Sequence, residues 1–78
     1  MALKEGTRVR IKSAEEIDKI VETVPQSGAA LFWKYYREDM SCYCGQETSV
    51  IVDYHDGTVD LEIDGGENVW NESWLIIL

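Results

Sequence analysis

Ser49-Val50-Ile51-Val52-Asp53-Tyr54-His55-Asp56-Gly57-Thr58-Val59-Asp60-Leu61-Glu62-Ile63-Asp64 is the stretch on which the fold turns. At its centre, Asp56-Gly57 is a dipeptide suited to a two-residue turn with positive φ at both positions, and apolar residues alternate on either side. Such a turn fixes the strand register, because paired residue numbers must then sum to 113. Tyr54 faces Val59, Val52 faces Leu61 and Val50 faces Ile63, so three apolar pairs share one side. The other side sets Asp53 opposite Asp60 and Ile51 opposite Glu62. The predicted hairpin therefore buries one apolar face, Tyr54 included, and shows solvent an acidic one.

Upstream, Gly6-Thr7-Arg8-Val9-Arg10-Ile11-Lys12 has the two-residue period of a half-buried strand, with Val9 and Ile11 inward. Ser13-Ala14-Glu15-Glu16 is a capping box. Ile17, Ile20, Val21 and Val24 then form one apolar stripe of a short helix, which Pro25-Gln26-Ser27-Gly28 ends. Ala29 to Met40 suits a short helix or turn, and its aromatic density is also compatible with a strand. Downstream, Gly65-Gly66 makes a turn, and Asn68–Trp70 and Trp74–Leu78 read as short strands. Five short strands with a helix after the first predict a mostly β chain, a small SH3-like barrel spanning residues 1–78 as a single domain. A small open α+β sheet is the alternative.

The chain has 78 residues, with 7 Lys+Arg against 15 Asp+Glu, for a formal net charge of −8. Nothing approaches the ~20 apolar residues of a membrane span, and Met1 to Lys12 holds no apolar block of signal-peptide type. A soluble cytoplasmic protein is the expectation. All seven basic residues lie at or before Arg37, and the base-free remainder carries ten acids. That balance argues against direct contact with nucleic-acid phosphates; it reads either as a solvated acidic face that aids solubility or as a face for a basic protein surface or segment as partner.

Few constellations carry chemistry. Cys42-x-Cys44 with His55 lacks a fourth zinc ligand of the usual kind, and small buried thiols at a turn before Gly45 are the simpler reading. Asp60-x-Glu62-x-Asp64-Gly65 opens like a calcium loop, but Asn71 stands where the bidentate Glu is required. No acid/base pair or glycine-rich phosphate loop follows from the spacing, so neither enzyme activity nor a cofactor is expected. The rings of Phe32-Trp33-Lys34-Tyr35-Tyr36 cannot all point inward. Those left outside, beside acids, suit a binding patch, with core or oligomer contact as the competing role. The candidate binding residues are Trp33, Tyr35, Tyr36, Asp53, Asp60, Glu62 and Trp74. The five apolar residues Trp74–Leu78 either complete the barrel or pair with a second copy, which leaves a homo-oligomer open.

Gly6-Thr7-Arg8-Val9-Arg10-Ile11-Lys12-Ser13, Tyr36 to Met40, Tyr43-Cys44-Gly45, Asp56-Gly57, Ile63-Asp64 and Trp70 together resemble a layout found in small uncharacterised phage and bacterial proteins. The same layout is distantly similar to the SH3-like repeats of mind-bomb-type ubiquitin ligases, which bind peptides. Thr7 departs from the Asp of the opening turn, and the lysines such proteins carry after Cys-Gly are missing. The resemblance implies an SH3-like barrel encoded by a phage or prophage, and no activity. Two functions follow as expectations. One is a non-catalytic module whose acidic, aromatic surface binds a basic protein. The other is a phage counter-defence inhibitor, acting as an acidic nucleic-acid mimic or, less readily, as a sponge for nucleotide signals.

Overall fold

Val9 and Ile11 are fully buried on strand β1 (Arg8–Ile11), while Arg8 and Arg10 face outward, as the opening alternation predicts. The computed structural model describes residues 3–23 and 28–78. Helix α1 (Ala14–Thr23) starts on the expected cap, where the Glu16 amide donates to Ser13 Oγ at 3.2 Å and the Ser13 hydroxyl donates to the Glu16 carboxylate at 3.3 Å. Ile17 is buried and Ile20 and Val21 pack against the core. Val24 and the predicted stop at Pro25–Ser27 lie outside the described residues, and Gly28 opens the next helix.

The ambiguous aromatic stretch is helical. Helix α2 (Gly28–Ser41) buries Ala29, Trp33 and Met40, positions 4 and 11 residues apart that fall on one side of a 3.6-residue period. Tyr36 departs from helical geometry (φ −118°, ψ 23°) and kinks it. A helix can turn only part of a five-residue aromatic run inward, and Tyr35 is accordingly 75% and Tyr36 49% exposed.

The remaining strands are β2 (Glu47–Asp53), β3 (Thr58–Leu61), β4 (Trp70–Asn71) and β5 (Leu75–Ile77). They form one antiparallel sheet in the order β4-β3-β2-β1-β5. Two expectations are corrected here. The sheet is open, with β4 and β5 as its edges, rather than a closed barrel; and with helices of 10 and 14 residues the chain is mixed α/β rather than mostly β. The helices supply the cover that closure would have given. Ile17, Trp33 and Met40 share a single core cluster with Val9, Ile11, Val50, Val59 and Leu61. Trp33, Trp70 and Trp74 are all fully buried, with ring centroids 5.8 Å (Trp33 to Trp74) and 6.4 Å (Trp70 to Trp74) apart.

The hairpin β2–β3 exists, but in another register. Asp53 pairs with Val59, Val52 with Asp60 and Val50 with Leu61, with a bulge between Val50 and Val52. The cause is a longer loop. His55 (φ 59°) and Gly57 (φ 91°) both take left-handed backbone, and the Tyr54 amide donates to the Thr58 carbonyl across His55–Gly57. Two aspartates hold this loop. Asp53 Oδ1 accepts from the His55 amide at 2.9 Å, and Asp56 Oδ1 accepts from the Thr58 amide at 3.0 Å and from its hydroxyl. These bonds lower the Asp56 carboxyl below the usual carboxylate range, Thr58 being the main cause. Val59 and Leu61 stay buried, but Tyr54 leaves the predicted core and is 49% exposed. Ile63 belongs to a 3₁₀ turn, Glu62–Asp64, and not to a strand opposite Val50.

Candidate functional site

Three segments converge on one cleft. From α2, Phe32 and Tyr36 stand one turn apart, with ring centroids 5.4 Å apart and planes tilted by 41°. Asp39 follows one turn further on, beside Glu38, and both line the cleft. The turn after α2 adds Cys42 and Tyr43. Tyr43 is half-buried, and its ring meets buried Trp70 edge to face at 6.3 Å, which anchors that wall in the core.

The opposite wall is Glu67 and Asn68. Asp64 builds it. This buried carboxylate accepts from the Gly66 amide at 3.0 Å, the Asn68 amide at 3.1 Å and Trp70 Nε1 at 3.0 Å, while its carbonyl accepts from the Glu67 amide at 3.3 Å. A loop tied at that many points presents Glu67 and Asn68 in fixed positions.

The cleft measures about 740 Å³, within the range of small-ligand or side-chain sites. Its charged lining is three carboxylates, Glu38, Asp39 and Glu67, with no Lys or Arg among them. Burial first, and then the negative groups around it, push the Tyr43 hydroxyl above its ordinary range, so the phenol stays neutral. A smaller hollow of about 360 Å³ adjoins across the kink. It shares Tyr36, Glu38 and Asp39 but is otherwise lined by Lys34, Tyr35 and Arg37.

The sequence-predicted site residues divide sharply. Tyr36 and Tyr35 lie at these two hollows. Trp33 and Trp74 are corrected to core residues, since both are fully buried. Trp33 Nε1 donates to Asp18 at 2.8 Å, and that carboxylate also takes Arg37 Nε at 2.9 Å and Nη2 at 2.8 Å. Asp53 and Asp60 do not form a solvated acidic face. The Asp53 side chain is only 7% exposed and serves the hairpin loop, while buried Asp60 accepts from the Tyr54 hydroxyl at 2.6 Å. Glu62 is exposed but does not line the cleft. Cys42 is exposed rather than buried, and its thiol donates to the Asp39 carbonyl at 3.0 Å.

Sequence reasoning did not single out Glu38, Asp39, Tyr43 or Glu67 as site residues, and Phe32 entered only as a member of its ring cluster. A signal was present: Phe32, Tyr36 and Asp39 fall at i, i+4 and i+7 of α2, and all three carboxylates belong to the base-free stretch. No family model, curated protein or solved structure matches the chain. Among the described residues no helix is long and apolar enough to cross a membrane.

Proposed function

We propose that the chain is a non-catalytic binding module that captures a basic protein segment in the cleft between α2 and the Gly65–Val69 loop. The observation that carries this reading is the pairing of aromatic walls with three carboxylates and no basic lining residue. Aromatic faces and carboxylates attract the same ligand, a cationic side chain with an apolar stem. The net charge of −8 adds long-range attraction. An SH3-like arrangement belongs to the same proposal. It is supported by the strand order, by β2 serving both β1 and β3, and by the 3₁₀ turn Glu72–Trp74 that leads into β5. The sequence resemblance to small phage and bacterial proteins supports a phage or prophage setting for such a module.

Fluorescence anisotropy with a labelled peptide of arginine, lysine and serine tests the reading. Glu67→Lys should weaken binding at least tenfold, while Glu22→Lys, the same charge change on exposed α1, should weaken it far less. Equal losses would reduce the interaction to net charge and overturn the cleft as its site.

A further inference from the structure

The chemistry of the lining distinguishes between cations. A lysine ammonium is compact and strongly hydrated, and acts as a point charge. A guanidinium is planar and weakly hydrated, stacks on rings, and donates in a fork that matches a carboxylate. The cleft offers what the planar group uses. Phe32 and Tyr36 present a tilted ring pair, Tyr43 supplies a third ring, and Asp39 and Glu67 stand on different walls. The protein already joins the same groups elsewhere: Arg37 lies 5.8 Å over the Trp33 ring while forking onto Asp18.

Resting on the reading of the cleft as a site for basic segments, we propose that it selects an arginine side chain over a lysine.

The test is an NMR titration of the full ¹⁵N-labelled chain with three capped amino acids: N-acetyl-arginine, N-acetyl-lysine and N-acetyl-citrulline methylamides. Arginine should shift amides of residues 32–43 and 66–68 and bind about fivefold more tightly than lysine. Citrulline, which keeps the shape but not the charge, should leave them unmoved. Glu67→Gln, a surface change that leaves the Asp64 bonds intact, should bring the arginine affinity down to that of lysine. Equal binding of arginine and lysine at these amides overturns the selectivity but keeps a site for basic segments. Absence of shifts there with every cation overturns both.

Discussion

Asp18 holds two groups at once, and each tells something different. Trp33 is fully buried, so Asp18→Ala leaves an indole N–H without its acceptor, at a cost of about 1–3 kcal/mol measured by urea denaturation. The Arg37 fork, chiefly, holds the Asp18 carboxyl below its ordinary value of 3.8. A lowered folded-state value means that the contribution is complete above the unfolded value and is lost as pH falls through the folded one. The stability gap between the wild type and Asp18→Asn should therefore be constant above about pH 5 and shrink below about pH 4. The effect is modest, because the Arg37 side of the pair is solvent-exposed. The same scale explains why the acids misled the sequence reading. Asp60 and Asp64 alternate with apolar residues as solvated strand positions do, yet both are buried. Nothing in the spacing announces that Trp70 Nε1 and two loop amides converge on Asp64, because those donors are set by the turn and not by the strand period.

At the level of elements, β1 and the start of α1 were legible, since one is fixed by a two-residue alternation and the other by a cap and the first residues of an apolar stripe. The hairpin was legible in place and not in pairing. Asp53 and Asp56 bind backbone amides within the loop, so a side-chain contact and not the Asp-Gly dipeptide sets its length. Gly57 is still needed for its left-handed backbone (φ 91°), and a Cβ there meets nothing within 4 Å. Gly57→Ala should thus cost about 1–2 kcal/mol through backbone strain alone. Urea denaturation should show a lower midpoint with an unchanged slope. Helix α2 resisted reading because its aromatic run satisfies strand and helix propensities alike, and only packing against Trp74 and Asp18 decides which rings enter the core. The cleft inherits that uncertainty, since Phe32 and Tyr36 are placed by the choice of which rings go inside.

Taken whole, the molecule solves the problem of a short chain by spending its helices as cover for an open sheet. Strand count, helix capping and the acidic second half were visible beforehand; the openness of the sheet was not, because it depends on where α2 lies. Three exposed acids, Glu38, Asp39 and Glu67, line the cleft between α2 and the Gly65–Val69 loop, so a negative field is focused at a concave place. The indoles, by contrast, are gathered inside. All three tryptophans of the chain occupy one interior cluster contributed by α2, β4 and the turn before β5. Light absorbed by the intact protein near the red edge of its ultraviolet band is therefore emitted from the interior alone, blue-shifted and shielded from acrylamide. No surface indole is present to blur that signal. The red shift of emission should coincide with the loss of circular dichroism across a denaturant series, and a ligand seated between Tyr36 and Glu67 should leave its colour unchanged. The spectrum is a built-in gauge of whether the whole chain is folded, silent about what the surface holds.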